Sequence, residues 1–280
     1  MHPAYHKIKN ALSGKYSPSE SSSLARWVLT DVFKIPAIDL YSNKDDDFLA
    51  KNGEKLAIII NRLQLYEPLQ YILRKSIFFG MTLEVSPDVL IPRPETSELV
   101  EWILSENEGR QGMRILDIGT GSGCIAITLA KNLKGSAVTA TDISQAALKT
   151  AKRNAIANGA EVRFLQTDIL SDPLTGTGAD IIVSNPPYVT MSERAEMSRN
   201  VVDWEPEQAL YVPDDDPLKF YRRIAEVGLS VLCKGGQLYF EINRRAGKAI
   251  ERMLRELGYT SIELRKDLSG NDRMIRAIRQ

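Results

Sequence analysis

Two short runs carry the most chemistry in this 280-residue chain: Leu116-Asp-Ile-Gly119-Thr120-Gly121-Ser122-Gly123 and Ser184-Asn185-Pro186-Pro187-Tyr188. The first lies between an apolar, strand-like stretch at 114–118 and a helix-like one at 124–132. Small residues there let backbone N–H groups approach a ligand closely. Its strictly alternating glycines depart from the dinucleotide fingerprint, and Cys124 and Ile125 stand where a phosphate-binding loop carries its lysine, so a pyrophosphate is not the expected guest. In the second run Asn185 offers a carboxamide oxygen, and the two prolines fix the backbone so that the Pro186 carbonyl points one way. Two acceptors facing one NH2 group suit an amide or an aromatic amine. Tyr188 adds a planar face for a planar group. By itself Asn-Pro also marks an ordinary strand-ending turn.

Two acidic residues extend the constellation. Asp142 ends the strand-like stretch 137–141, roughly twenty residues past the glycines, where a carboxylate accepts both hydroxyls of a ribose. Asp168 ends the next, at 161–166, in position to meet an adenine edge. Together they indicate an adenosine moiety. Asp142 is also placed to cap the helix that follows, and Asp168 to close a turn.

Such residues need a frame, and the patterning supplies one. Strand-like segments at 114–118, 137–141, 161–166, 180–184 and 237–242 alternate with helix-like ones at 124–132, 146–158 and 218–232. Two further strands are expected at 260–265 and 273–278. This predicts an α/β fold, a Rossmann-like, doubly wound parallel sheet whose first turn is the glycine loop. Residues 19–73 have helical periodicity instead, with Leu56, Ile59, Ile60 and Leu63 on one face. The expected division is an N-terminal helical unit over 1–75, a hairpin linker over 76–95 around Gly80, and the sheet domain over 96–280. Charged residues 44–47 read as a solvated turn, and 91–96 as a break in regular structure. The N-terminal end, with His2 and His6, is expected to fray. No internal repeat or low-complexity tract is visible.

Composition narrows the classes. Lys+Arg 36 against Asp+Glu 36 leaves a net charge of zero, which disfavours binding that rests on a bulk cationic surface. Two cysteines cannot form a disulfide framework, and no secretory leader or spanning segment is apparent, so an intracellular, cytoplasmic protein is expected, away from membranes. With only two histidines, neither a zinc site nor a histidine-based triad is expected, and no metal is assigned.

The chain resembles class I S-adenosylmethionine-dependent methyltransferases of the amino-methylating Asn-Pro-Pro-Tyr type. More narrowly it resembles the HemK/PrmC family, the glutamine N5-methyltransferases that modify the Gly-Gly-Gln glutamine of peptide chain release factors. The narrower likeness rests on Glu67-Pro-Leu-Gln-Tyr-Ile72, Phe79-Gly80, Ile91-Pro-Arg-Pro-Glu-Thr96, Glu205-Pro206 and Gly270-Asn-Asp-Arg273. Family members usually carry Gly where Arg74 and Pro217 stand. The resemblance implies S-adenosylmethionine as cofactor, held by Gly119, Thr120, Gly121, Ser122, Gly123, Asp142, Asp168, Ile169 and Asn185. It also implies catalysis by Asn185, Pro186 and Tyr188, with Pro187 and Arg93 beside the substrate, and Phe79 and Thr96 near the mouth. The implied partner is a release factor docked by the helical unit, with no DNA, membrane or metal. Three rivals stand beside this reading: a glutamine methyltransferase acting on a ribosomal protein, an adenine or guanine amino-methyltransferase of nucleic acid, and a non-catalytic module that only senses S-adenosylmethionine and would not need the intact Asn185–Tyr188 run. The second would be expected to carry clustered Lys and Arg.

Overall fold

A computed structural model describes residues 1–41, 47–174 and 178–280. Of the charged turn expected at 44–47, residues 44–46 lie outside the described residues. The chain divides into two compact units, one of Met1–Arg74 with Ser198–Trp204, the other of Lys75–Met197 with Glu205–Gln280.

The first unit is helical: α1 (Pro3–Leu12), α2 (Pro18–Trp27), which runs on into a π-helical turn at Val28–Val32, α3 (Phe48–Gln64) and α4 (Leu69–Leu73). The N-terminal end, expected to fray, is helical from Pro3. Pro3 opens α1, the His2 imidazole accepts from Ala4 N at 3.2 Å, and Ile8 and Leu12 are fully buried with Leu29, Leu56 and Leu63. An apolar residue once per turn is enough to anchor a helix that begins at the third residue. Arg74 caps α4 with φ 54°, the left-handed region where a glycine would relieve strain.

The second unit opens with an antiparallel hairpin, β1 (Lys75–Phe78) and β2 (Met81–Glu84), whose Phe78, Met81 and Leu83 enter the core of the sheet. The segment 76–95 is therefore part of this unit and not a separate linker, because its alternate side chains have an apolar face to bury. Then follow α5 (Pro94–Glu106), β3 (Arg114–Ile118), α6 (Cys124–Asn132), β4 (Ala137–Asp142), α7 (Gln145–Ala157), β5 (Val162–Gln166) and β6 (Ala179–Ser184). Helix α5 starts inside the run read as a break, because Pro94 takes the first helical position, where its missing N–H costs nothing. Short strands β7 (Val189–Thr190) and β8 (Tyr211–Val212) pair in parallel around the brief helices α8 (Arg199–Val202) and α9 (Glu207–Leu210). The chain ends with α10 (Lys219–Val231), β9 (Leu232–Glu241), α11 (Gly247–Glu256), β10 (Thr260–Lys266) and β11 (Asp272–Ile278).

Seven strands form one sheet in the order β10-β11-β9-β6-β3-β4-β5. Five of them, β9-β6-β3-β4-β5, are parallel neighbours, while β11 runs against both β9 and β10, so the sheet is mixed at one edge. Alternation along each strand builds two cores. Ile115, Ile181 and Val183 face α5 and α6, and Leu116, Ile182 and Leu238 face α10 and α11. From β3 the chain adds β4 and β5 on one side and later β6 and β9 on the other, so the crevice at the carboxyl ends of β3 and β6 is a topological switch point, where open α/β sheets bind ligands.

Residues Ser198–Trp204 follow β7 in sequence yet pack within the helical unit. Trp204 Nε1 donates to the Leu65 carbonyl at 3.0 Å, and the Arg199 guanidinium lies 4.3 Å from the centre of the Tyr66 ring.

Candidate active site

The glycine loop joins β3 to α6 and is fixed from several sides. Gly119 N and Thr120 N both donate to the Thr141 carbonyl at 2.9 Å, tying the loop to β4. Gly123 has φ 84°, and a Cβ there would sit 3.0 Å from Ile127 Cδ1 and 3.1 Å from Ala151 Cβ, so only glycine lets α6 start against α7. Asn154, buried on α7, donates to Ser122 O at 2.9 Å and accepts from Glu84 N at 2.6 Å, which links the loop to the hairpin.

Asp117 lies beneath the loop, fully buried, with Oδ2 accepting from Thr120 Oγ1 at 2.7 Å. Among the described residues Oδ1 has no hydrogen-bond partner, and burial pushes the carboxyl up to about 7. A carboxyl whose folded-state value is raised above the ordinary one favours the folded state most at low pH, and loses that contribution as pH climbs through its raised value. Asp117→Asn, which stays neutral, should therefore gain melting temperature relative to the wild type as pH rises from about 4 to about 7 and hold the gain above that. Thermal melts across pH check this, and parallel curves would mean that Asp117 does not titrate in that window.

Asp142 is at the rim of the crevice. Its Oδ2 accepts from Gly121 N at 2.8 Å and its Oδ1 from Ser144 N at 2.9 Å, while the cap of α7 is Ser144, whose hydroxyl accepts from Ala147 N. Asp142 is thus not the helix cap. Burial pushes its carboxyl up, and the N–H groups of Ser144, Gly121 and Ile143 draw it back down. A carboxylate has about four lone-pair sites, so capacity remains for a ligand hydroxyl. Asp142→Ala should weaken S-adenosylmethionine binding by about 1–3 kcal/mol. Calorimetry checks this, and an unchanged affinity would leave Asp142 as a brace for the loop alone.

Asp168 is more self-contained. Its Oδ1 accepts from Leu170 N at 2.9 Å and its Oδ2 from Ser171 Oγ at 3.0 Å, so it closes its own turn while bordering the crevice.

On the other wall, Asn185 follows the last residue of β6. Its Nδ2 lies 3.4 Å from Thr96 Oγ1, and Thr96, from the first turn of α5, donates to Glu241 Oε2 at 2.6 Å. Glu241 ends β9, is 1 % exposed, and also accepts from the Tyr188 hydroxyl on Oε1 at 3.2 Å. Burial raises the Glu241 carboxyl, against the hydrogen bond from Thr96, the nearby Arg273 guanidinium and the hydrogen bond from Tyr188.

These elements enclose a cavity of about 570 Å³, within the range of small-molecule and cofactor sites. Gly119, Thr120, Gly121, Ser122, Asp142, Asp168, Ile169, Asn185, Pro186 and Pro187 all border it, and so does Thr96. Gly123, Phe79, Arg93 and Tyr188 are not among the described lining residues. Gly123 packs between helices, and Phe79 lies against the core. Arg93 pairs with buried Glu205, whose other oxygen accepts from Ile91 N, so it pins the Pro-Arg-Pro segment. Tyr188 is half-buried, with its ring packed against the core and its hydroxyl donating to Glu241. Sequence reasoning missed Leu90, Pro206, Tyr211 and Phe220, which line the cavity. A sequence scan signals only Pro206, through Glu205-Pro206. Among the described residues, no cluster of His, Cys, Asp or Glu could hold a metal ion, and no helix is long and apolar enough to cross a membrane.

Comparison with known proteins agrees with this architecture. The methyltransferase small domain matches residues 95–204, and the PrmC N-terminal domain matches residues 4–73. A methyltransferase of known structure from Pyrococcus furiosus superposes with a TM-score of 0.53 at 19% identity, covering 81% of this chain and 98% of that one. The sheet domain thus has the Rossmann-like fold of class I methyltransferases. The chain is 49% identical over 273 residues to the release factor glutamine methyltransferase of Bacteroides thetaiotaomicron, covering 97% of this chain and 98% of that relative. It is 42% identical over 272 residues to the one from Flavobacterium psychrophilum, covering 95% and 94%. The chain belongs to the release factor glutamine methyltransferase family.

Proposed function

We propose that this protein transfers a methyl group from S-adenosylmethionine to the side-chain nitrogen of the Gly-Gly-Gln glutamine of a peptide chain release factor. The observation that carries this reading is that Asp142 and the Asn185-Pro186-Pro187 run border the same cavity across the switch point of the sheet. The residues fit the cofactor: a glycine loop free of bulky side chains, a carboxylate with lone pairs left for ribose hydroxyls, and a cavity of cofactor size. S-adenosylmethionine brings a methyl already activated by its sulfonium.

The protein's share is to hold a poor nucleophile in line. The glutamine nitrogen is weak because its lone pair is delocalised into its carbonyl. Asn185 Oδ1 and the Pro186 carbonyl accept its two N–H bonds, which orients the nitrogen and offsets the positive charge that grows on it. Its proton can leave after the methyl has arrived, so no general base is assigned. Tyr188 supports this wall from behind, through Glu241, and Arg93 does so through Glu205. The helical unit, with its own core and with Ile58 and Leu65 exposed on and beside α3, serves as the dock for the folded protein substrate.

Incubation with methyl-labelled S-adenosylmethionine and, separately, release factor, ribosomal proteins and DNA tests the reading. Label should enter the release factor. Label confined to a ribosomal protein or to nucleic acid would transfer the assignment to that class.

A further inference from the structure

We infer that Glu241 and Thr96 are positioning residues that set which end of the Asn185 carboxamide faces the substrate. The inference deepens the reading of Asn185 as an amide acceptor and rests on it.

A carboxamide has two nearly isosteric ends, one an acceptor and the other a double donor. Only the acceptor end can receive an N–H from a substrate NH2. With the amide reversed, donor would meet donor, and the wall would repel the group it has to hold. Something must therefore choose between the two orientations.

The choice is made three contacts deep. Thr96 Oγ1 has one proton and two acceptor sites. Glu241 Oε2 is 2.6 Å away and the Asn185 amide 3.4 Å away, so the hydroxyl donates its proton to Glu241, where the hydrogen bond is much the shorter. The hydroxyl can then only accept from Asn185. That turns the Asn185 NH2 toward Thr96 and leaves Oδ1 for the cavity.

The remaining Glu241 oxygen takes the Tyr188 hydroxyl, so both carboxylate oxygens act as acceptors and the polarity of the chain is fixed from its buried end. Sheet register delivers the geometry. Ser184 pairs with Phe240 across β6 and β9, which puts Asn185 and Glu241 at neighbouring strand ends, and Thr96 reaches both from α5. Thr96 is 2 % exposed and Glu241 1 %, so water does not compete for these bonds.

Thr96→Val keeps the shape and removes the hydroxyl, whereas Thr96→Ser keeps the hydroxyl. The test measures kcat for each on the acceptor that the wild type methylates, with S-adenosylmethionine affinity by calorimetry. Thr96→Val should lose about tenfold or more in kcat, since an unset amide forfeits the better part of one hydrogen bond, while Thr96→Ser stays within about threefold of wild type. Cofactor affinity should change by less than about threefold in both. Equal losses in Val and Ser variants, or no loss in Val, would overturn the inference. If Thr96→Val does not fold, Glu241→Met replaces it, because it removes both acceptors at similar length and frees the Thr96 proton to turn toward Asn185, and wild-type kcat there would overturn the inference equally. Because the ratios are read on whatever acceptor the wild type uses, a wild type that ignores release factor would overturn the proposed substrate without touching this comparison.

Discussion

Replacing Asn185 with Ala is expected to lower kcat by about 100-fold or more while S-adenosylmethionine affinity stays within a few-fold of wild type. On the proposed reading the two quantities part because Asn185 Oδ1 acts on the reacting amide, whereas the cofactor's adenosine lies at the opposite wall by Asp142. The substitution should leave the fold intact. Its one side-chain hydrogen bond among the described residues is the 3.4 Å contact to Thr96, and Thr96 keeps its much shorter bond to Glu241. Single-turnover kinetics and calorimetry on the same preparation check the split. Equal losses in kcat and in cofactor binding would assign Asn185 to the cofactor.

Changing the release factor glutamine to Glu should abolish transfer altogether. The exchange removes the NH2 and sets a carboxylate against Asn185 Oδ1 and the Pro186 carbonyl, two acceptors with no proton to offer. Burying an unpaired charge against them costs more than the pocket can return. The substitution hardly alters side-chain volume, so docking of the release factor should persist. Binding of the variant release factor, measured alongside methyl incorporation, separates the two effects. Label appearing on the Glu variant at the wild-type rate would place the methylated residue elsewhere on the partner.

The parts of this molecule that a sequence shows well are those with a local period. Strand β3 coincides with the expected 114–118, because Ile115, Leu116 and Ile118 form a short apolar run that ends at glycines. Helix α6 is equally plain. Helix α1 was not, since its four buried residues are diluted by six polar or surface ones and its cap is the uncommon His2. The path of residues 198–204 into the helical unit has no local signature at all, because Trp204 meets Leu65 across 139 positions. The site divides in the same way. Gly119, Asp142 and Asn185 stand at strand ends, where spacing exposes them. Glu241 reads in sequence as the end of an apolar strand, and its partner Thr96 is 145 residues distant. Tyr188 is plain in sequence as the neighbour of the Asn-Pro-Pro run, but its tie to Glu241 spans 53 positions and has no local signal.

The most direct measurement is mass spectrometry of a release factor co-expressed with this protein, digested so that the Gly-Gly-Gln segment lies in one peptide. A single added methyl on that glutamine, missing when the Asn185→Ala variant is co-expressed instead, is the expected result. An unmodified peptide beside an active enzyme, or a methyl found only on a ribosomal protein or a nucleic acid, would contradict it.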